Sequence, residues 1–430
     1  MTNPNSQSLS LQNTGSRIVT FNKPVAFSRH LGESDDEVWA LNPGKRYVFT
    51  AQSLTHIMEH VETCSDLGSA PNLRPLQGGQ NLSNARILVE RYRDRGIGDL
   101  LFTTGPLAYM QHVCGHSARI HYYALSGRGQ VFYGNPDLHN ETALVGPLDY
   151  DSFQNYDFHW LIDTVSEYSE EPDQLNVYDA LFAKLGLDHT KIEDRFKRPY
   201  AYLKKDDFDA FDALCFLIWQ DREMDLRRSG YYVVAPLSHS SLRTSSYRMW
   251  LEVISSLADY RPVIVLGQIT DRMPTTDMTV AEFRYALASL KKTGVVDLIG
   301  ETPLRTMMAV ISKATAVLCL DSAPLYLAQA FRTPAVSIWG PHNPAVRIGY
   351  DQDYMDLAIW QHQACHFAPC YAFSGFPVKK CPLGVQQRTC EVMRTVTPDM
   401  MMDKIAQIEN RRPTLNLGKP VSPTDSIAHA

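Results

Sequence analysis

The stretch AVLCLDSAPLYLA, from Ala316 to Ala328, decides the fold of this chain. Five apolar residues, typical of a buried strand, run into a short polar turn at Asp321 and then into a helix pattern. The same order occurs earlier, where ILVERY at 87–92 precedes GIGDLLFTT at 96–104. Such turns place backbone N–H groups and a carboxylate at the carboxyl edge of a parallel sheet, where α/β proteins bind ligands. Two of them predict two α/β domains that face each other across a cleft.

The rest of the chain alternates between strand-like and helix-like segments, which is the pattern of parallel sheets covered by helices. It predicts six parts: a disordered tail at 1–16, an extension module at 17–84, α/β domains at 85–225 and 226–397, a helix at 398–410 and a flexible tail at 411–430. Within the extension, 17–21 and 45–50 are strand-like, 52–64 is helix-like, and 71–83 is a linker rich in Gly, Asn and Pro.

Composition limits the function. The net charge of −6 argues against a general nucleic-acid surface, which is normally basic. No apolar run is long enough to span a membrane, and the polar residues 1–16 do not resemble a signal peptide. We therefore expect a cytoplasmic protein without a membrane span.

Asp99 is the candidate catalytic carboxylate of the first domain. It ends a Gly-X-Gly-Asp turn in which Gly96 and Gly98 permit unusual φ values and the close approach of a ligand. The alternative is that Asp99 caps a helix that runs from about Leu100 to Cys114. The glycine pattern alone is weak, because it is not the full dinucleotide fingerprint.

The second domain offers a stronger pattern. Asp321 or Ser322 is expected to cap a helix whose first turn contains Pro324, and the N–H groups of that helix start attract phosphate. A small polar loop after an earlier strand contains Ser238 and leads to Arg243, Arg248 and Trp250. An arginine beyond that loop could pair with a diphosphate. The alternatives are a plain capped helix and an exposed helix arginine.

Four cysteines, Cys365, Cys370, Cys381 and Cys390, lie close together in the sequence. In a reducing compartment such a cluster indicates a metal site rather than disulfides, and four thiolates could hold one Zn²⁺ or Fe ion with a structural role. The spacing lacks the tight Cys-X2-Cys pair, so free thiols are the alternative. Cys319 lies within an apolar strand and is expected to be a core residue.

Several ordered blocks resemble glycosyltransferase family 9, the ADP-heptose:lipopolysaccharide heptosyltransferases and their relatives. The matching blocks are Gly98-Asp99 through Pro106, Gly134-Asn135-Pro136, Gly300 to Leu304, Asp321 to Ala328 and Arg332 to Pro341. The resemblance covers roughly residues 85–408.

The resemblance implies a GT-B fold, in which two Rossmann-like domains bind the acceptor (N-terminal) and the sugar nucleotide (C-terminal). It implies inverting transfer from an ADP-heptose-like donor, with Asp99 as the general base and without a catalytic metal. Carried over residue by residue, the donor site comprises Ser238, Arg248, Gly300, Asp321, Ser322, Ala323, Pro324 and Tyr326, and the acceptor-side turn comprises Gly96 and Gly98.

Three residues depart from the family pattern. Ala323 and Tyr326 stand where the family has Gly and His, and Arg248 replaces a lysine ahead of Trp250. Arginine keeps the charge of that lysine but changes its geometry. The extension and the cysteine cluster resemble the autotransporter heptosyltransferase branch, which modifies proteins.

The acceptor is therefore expected to be a lipopolysaccharide or another surface glycan, with a protein or a modified DNA base as the alternative. A degenerate, non-catalytic transferase that only binds its ligand is a second alternative. A NAD-dependent oxidoreductase is disfavoured, because the Gly-X-Gly-X-X-Gly turn with its acidic partner is absent from the sequence.

Overall fold

The computed structural model describes most of the chain between Arg17 and Arg411. The described ranges are 17–21, 25–28, 38–41, 45–49, 64–69, 74–91, 96–124, 127–139, 143–145, 148–149, 153–162, 175–269, 273–290, 294–371, 381–384 and 389–411. The chain divides into two compact units, unit 1 (Met1–Lys204) and unit 2 (Lys205–Ala430). The predicted tail at 1–16 lies outside the described residues, and so does the predicted tail at 411–430 except for Arg411, which is the last residue of a helix.

Unit 1 contains eleven described strands: β1 Arg17–Phe21, β2 Val25–Ser28, β3 Val38–Leu41, β4 Arg46–Phe49, β5 Cys64–Ser69, β6 Arg74–Pro75, β7 Arg86–Arg91, β8 Arg119–Ala124, β9 Ala143–Val145, β10 Leu148–Asp149 and β11 Phe158–Ile162. Its described α-helices are α1 Ile97–Phe102, α2 Thr104–Val113 and α3 Val177–Lys184. Short 3-10 helices span Gly127–Phe132, His189–Lys191 and Asp194–Phe196.

The main sheet of unit 1 is parallel and has the order β6-β11-β7-β8-β9. Its central strand β7 is the predicted one, and Ile87 and Val89 are fully buried in it. Strand order reverses between β7 and β11, so the turn after β7 lies at the topological switch point, where open α/β sheets bind ligands.

The extension is less separate than the sequence indicated. Its strands β1, β4 and β5 form an antiparallel sheet that also takes in β10 from later in the chain. The predicted linker contributes β6 to the edge of the parallel sheet, an allowed place for Pro75, which has no N–H to donate. Cys64, predicted as the end of a helix, begins β5, and residues 52–63 lie outside the described residues.

The first helix also differs from the prediction. It begins at Ile97 rather than Leu100 and is interrupted at Thr103, where the chain starts a second helix. The hydroxyls of Thr103 and Thr104 donate to Leu100 O and Leu101 O, each at 2.6 Å. Such bonds compete with the helical backbone pattern and favour a break.

Unit 2 contains strands β12 Tyr232–Ala235, β13 Val263–Val265, β14 Val295–Asp297, β15 Ala316–Leu320, β16 Ala335–Ile338 and β17 Ala358–Ile359. Its helices are α4 Lys205–Arg222, α5 Leu226–Ser229, α6 Tyr247–Ala258, α7 Val280–Ser289, α8 Leu304–Lys313, α9 Ala323–Phe331, α10 Ala345–Ile348, α11 Gln352–Met355, α12 Glu391–Arg394 and α13 Pro398–Arg411. Short 3-10 helices span Ser241–Arg243 and His362–Ala364.

All six strands of unit 2 are parallel, in the order β14-β13-β12-β15-β16-β17. This is the order of a doubly wound dinucleotide-binding sheet. The strand predicted at the start of the stretch from Ala316 is confirmed as β15, and Cys319 is fully buried in it as expected. The two-residue strand β17 gave no sequence signal. The predicted parallel-sheet α/β fold with two Rossmann-like parts is therefore confirmed.

Two helices fix the limits of unit 2. Helix α4 lies in unit 2, although the sequence placed the domain boundary at 225. Asp207 on α4 forms an ion pair with Arg305 on α8, which ties α4 to this unit. Helix α13 packs on the same unit, since Tyr232 donates a 2.6 Å hydrogen bond to Glu409. Among the described residues, the structure contains no helix that is both long and apolar enough to cross a membrane.

Candidate active site

The switch point of unit 2 lies between β12 and β15, because the strands that follow each of them extend in opposite directions across the sheet. The loop after β12 contains Ser238, and the turn after β15 contains Asp321. Arg243 in the first loop joins the two, since its Nη1 donates to the backbone oxygen of Asp321 at 2.9 Å. The structure thus brings together two predicted donor segments at the edge where such sheets bind ligands.

Ser238 shapes its own loop. Its side chain is buried, its Oγ accepts from the amide of Ser240 at 3.2 Å, and its carbonyl accepts from the Thr244 hydroxyl at 3.3 Å.

Gly300 lies elsewhere, after the edge strand β14. Its φ of +77° is in the left-handed region, and its amide donates to Gly267 O at 2.8 Å. The structure therefore places Gly300 in a turn that requires glycine, away from the switch point.

The carboxylate of Asp321 is buried, with 3% of its surface exposed. Tyr326 donates to its Oδ1 at 2.5 Å, and Nδ1 of His342 lies 2.7 Å from its Oδ2. Burial by itself would raise the pKa of this carboxyl. The hydrogen bond from His342 and the nearby Arg243 and Arg347 outweigh burial and hold the pKa well below its usual range.

Tyr326, which replaces the family's histidine, thus has a defined role: its hydroxyl satisfies one oxygen of Asp321. Ser322 occupies the N-cap position of α9, as expected, but its side chain makes no capping hydrogen bond. The Asp321 oxygens bind Tyr326 and His342, and the Ser322 hydroxyl donates back to Leu320 O at 3.3 Å. Ser322, Ala323 and Pro324 are partly exposed. The start of α9 therefore presents backbone N–H groups and the positive end of the helix dipole to a ligand.

Arg248 lies near the start of α6, and 72% of its side chain is exposed. Its Nε is 3.8 Å from Asp277, whose carboxylate also accepts the amide of Tyr247 at 2.8 Å and the Ser246 hydroxyl at 2.7 Å. The start of α6 is therefore already occupied by a carboxylate. Arg243, at 19% side-chain exposure, is the arginine that contacts the Asp321 turn.

Asp99 lies in the first turn of α1, directly after β7. The helix begins at Ile97, so Asp99 is inside it and is not its N-terminal cap. Gly96 has an ordinary extended φ of −151°, and neither Gly96 nor Gly98 is among the described residues with positive φ. The predicted need for unusual φ values is thus wrong. What glycine allows at 96 is a close approach, since a Cβ there would lie 3.3 Å from Oδ2 of Asp99.

The four clustered cysteines all lie against the core of unit 2, with Cys390 inside it and the others partly buried beside it. Burial raises the pKa of the Cys390 thiol to about 11, and the neighbouring Cys370 and Cys365 add to that rise. Within the ranges that the structure describes, no three His, Cys, Asp or Glu side chains form a group that could hold a metal ion. The metal site remains a prediction.

Sequence reasoning missed His342, Arg347 and Asp277. His342 and Arg347 follow β16 and meet Asp321 only because β15 and β16 are neighbours. The sequence did offer a signal for His342 and Arg347, because both are polar residues in the segment that follows a strand-like apolar run. Asp277 lies in a loop that the chain pattern does not connect to α6, so no such signal existed for it.

Residues 180–370 match the model of glycosyltransferase family 9 (heptosyltransferase). The family 9 resemblance is confirmed, and the chain is a glycosyltransferase. The matched region contains the switch point of unit 2 and every predicted donor residue. None of the curated proteins matches the sequence.

Solved structures share the fold. ADP-heptose LPS heptosyltransferase II of E. coli is 13% identical with a TM-score of 0.53, and the match covers 76% of this chain and 99% of that one. A family 9 glycosyltransferase of Veillonella parvula is 11% identical with a TM-score of 0.52, covering 76% and 98%. The iron-containing dodecameric glycosyltransferase TibC of enterotoxigenic E. coli is 14% identical with a TM-score of 0.49, and the match covers 93% of this chain and 92% of that one.

Proposed function

We propose that this glycosyltransferase moves a heptose-like sugar from a nucleotide diphosphate sugar, such as ADP-heptose, to a hydroxyl group of a lipopolysaccharide or another surface glycan. The observation that supports the proposal is the switch point of unit 2, where the loop of Ser238 and the start of α9 are joined by Arg243. A diphosphate suits such a place, because it meets helix N–H groups and a guanidinium. The reaction would take place in the cytoplasm.

Of the predicted residues, those in the Ser238 loop and the Asp321 turn form the donor site together with Arg243, whereas Gly300 shapes a turn after the edge strand β14. Ser322, Ala323 and Pro324 present the start of α9 to the phosphates, and Asp321 with Tyr326 holds the turn in place. Arg243 and Arg248 supply positive charge. Preorganised donors of this kind stabilise the negative charge that develops on the leaving diphosphate.

Asp99 would act as the general base. Its carboxylate removes the proton of the acceptor hydroxyl while that oxygen attacks the anomeric carbon. The bond from the anomeric carbon to the diphosphate oxygen breaks, and its electron pair leaves with the nucleotide diphosphate. Attack from the face opposite the leaving group inverts the anomeric centre. A partly exposed carboxylate in the first turn of the helix that follows a central strand suits this role, and we propose that the step needs no catalytic metal.

Cys365, Cys370, Cys381 and Cys390 would hold a structural Zn²⁺ or Fe ion. Their chemistry fits, since thiolates are preferred ligands of both metals. Their common position against the core of unit 2 is also favourable. Such an ion would contribute to folding rather than to the transfer step.

The test is incubation with ADP-heptose and a panel of acceptors: a truncated lipopolysaccharide, a surface protein and DNA with hydroxylated bases. Release of ADP together with an inverted linkage, identified by NMR, is expected with the glycan. Transfer to the protein or the DNA instead would replace the proposed acceptor.

One observation favours a binding protein as the second candidate: Tyr326 already occupies one oxygen of Asp321. A binding protein would bind ADP-heptose with full affinity and release no ADP with any acceptor in the panel. That result would reject transfer while preserving the donor site.

A further inference from the structure

The loop Gly340–His342, which follows β16, lies between the Asp321 turn and the segments that carry the cysteines. We propose that His342 and Tyr371 are positioning residues that make the geometry of the Asp321 turn depend on the segments of Cys370 and Cys390. The inference rests on the proposed donor site, and it assigns the cysteine segments a role in donor binding.

The segment of Cys370 is joined to this loop by backbone hydrogen bonds. The carbonyl of Pro341 accepts the amide of Cys370 at 3.1 Å and that of Tyr371 at 3.0 Å. Tyr371 is 4% exposed and has a φ of +51°, in the left-handed region that a bulky side chain rarely adopts. Such a conformation persists only where the surroundings hold it. The position of Tyr371 is therefore set by the cysteine segment and by Pro341 together.

Tyr371 in turn supports His342. The two rings are stacked, with centroids 5.6 Å apart and planes at 24°. His342 is 1% exposed, and its Nδ1 lies 2.7 Å from Oδ2 of Asp321. Its Nε2 has no hydrogen-bond partner among the residues that the structure describes. The orientation of the imidazole thus depends on the Asp321 carboxylate at one edge and on the Tyr371 ring at one face.

The segment of Cys390 reaches the same loop from another side. Helix α12 starts after Cys390 and carries Met393. A Cβ built on Gly340 would lie 2.9 Å from Cγ of Met393 and 2.7 Å from the backbone oxygen of Leu242. Gly340 is therefore packed tightly between α12 and the loop after β12, which also contributes Arg243.

Both cysteine segments thus contact the loop that orients His342, and His342 contacts the turn that offers its N–H groups to the donor. Packed interiors transmit displacements because they contain little free space. A change in the cysteine segments, such as loss of a bound metal ion or oxidation of a thiol, is expected to weaken donor binding. Binding of the acceptor should not change.

The experiment compares three variants by calorimetry with ADP-heptose and with ADP. Tyr371→Leu removes the stacked ring, and Tyr371→Phe keeps it. Tyr354→Leu is the matched control, because Tyr354 is 3% exposed and its hydroxyl donates to Ala328 O at 2.9 Å and Thr333 O at 2.8 Å, near the opposite end of α9. Thermal unfolding of each variant is recorded in parallel.

Tyr371→Leu is expected to raise the Kd for ADP-heptose by about tenfold, a coupling of ordinary size. Tyr371→Phe should remain near the wild-type value, and Tyr354→Leu should lower the unfolding temperature without changing the Kd. If Tyr371→Leu binds as the wild type does, or if Tyr354→Leu weakens binding as much, the inference is rejected. Failure of the wild type itself to bind any sugar nucleotide would reject the proposed function instead.

A double-mutant cycle tests the dependence on the cysteine segments. Cys390→Ala alone should also raise the Kd for ADP-heptose, and its effect should shrink in the Tyr371→Leu background, because both changes act on the same loop. Effects on the Kd that add in full, or no effect of Cys390→Ala, would show that the cysteine segments do not act through Tyr371.

Discussion

The turns after β7 and β15 share the strand-turn-helix pattern, yet the structure gives their carboxylates different surroundings. Asp321 is 3% exposed, and both of its oxygens are hydrogen-bonded to side chains of the same unit. Asp99 is partly exposed and lies in the first turn of its helix. One carboxylate is thus part of the buried framework, and the other is partly exposed to solvent. The strand-turn-helix pattern locates both residues, but burial and hydrogen bonding distinguish their roles.

The Asp99→Asn substitution is the strongest test of the difference between the two carboxylates. The variant should fold and bind ADP-heptose normally, because the side chain keeps its size. Transfer should fall by about 10²–10⁴, the usual loss when a positioned base is removed. Turnover, donor affinity and unfolding temperature are measured on the same preparation. Near-normal turnover would show that another group accepts the proton.

Asp321→Asn tests the other side of the comparison. Removing this charge leaves His342, 1% exposed and 2.7 Å from Oδ2, and Arg243, 3.7 Å from the same oxygen, facing an uncharged amide. Breaking a buried charge pair in this way typically costs about 3–5 kcal/mol. Denaturant unfolding should show a loss of that order, whereas Asp99→Asn should show almost none. Equal stability of the two variants would contradict the assignment of Asp321 to the framework.

The pH dependence of stability tests the framework role of Asp321 independently. The pKa of Asp321 is depressed in the folded protein, so this group stabilises the fold at a pH above its unfolded pKa of about 3.9. That contribution is lost as the pH falls below this value toward the folded pKa. The free energy of unfolding should therefore fall less steeply with acid in Asp321→Asn than in the wild type, as measured by urea titrations from pH 6 to about 3. If the free energy of unfolding falls equally with pH in the wild type and in Asp321→Asn, the charge of Asp321 does not stabilise the fold.

Arg243 and Arg248 form a matched pair within unit 2. Arg243 contacts the Asp321 turn, whereas Arg248 is 72% exposed beside Asp277. Arg243→Met should weaken ADP-heptose binding by about 10–100-fold, the value of a charged hydrogen bond. Arg248→Ala should weaken binding and slow transfer by a smaller factor, since an exposed charge is worth little. If calorimetry shows a larger loss of affinity for Arg248→Ala than for Arg243→Met, Arg248 is the main phosphate contact.

The sequence predicted the framework well because buried parallel strands have continuous apolar runs. The strands before Asp99 and Asp321 were found in this way, and the family resemblance then located both turns. Contacts between loops could not be predicted, because they depend on strand order. Arg243 meets Asp321 since β12 and β15 are neighbours, and His342 meets it since β16 follows on the other side. Helix starts were misplaced by a few residues, which turned Asp99 from a cap into a member of its helix.

The smallest expected effect on chemistry belongs to the cysteines. If Cys365, Cys370, Cys381 and Cys390 hold one metal ion, protein purified without added metal should contain about one Zn or Fe per chain by elemental analysis. Cys381→Ser should lower the unfolding temperature clearly, because a structural ion contributes folding energy. The rate of transfer at saturating donor should stay within about twofold, since none of these thiols is among the residues proposed to act in transfer.

Cys319→Ala is the control for the metal site. It removes a buried thiol from β15, and the metal content of the protein should not change. A metal content near zero, with all four clustered thiols freely titratable in the folded protein, would reject the metal site. The clustered thiols would then be explained only by their packing against the core of unit 2.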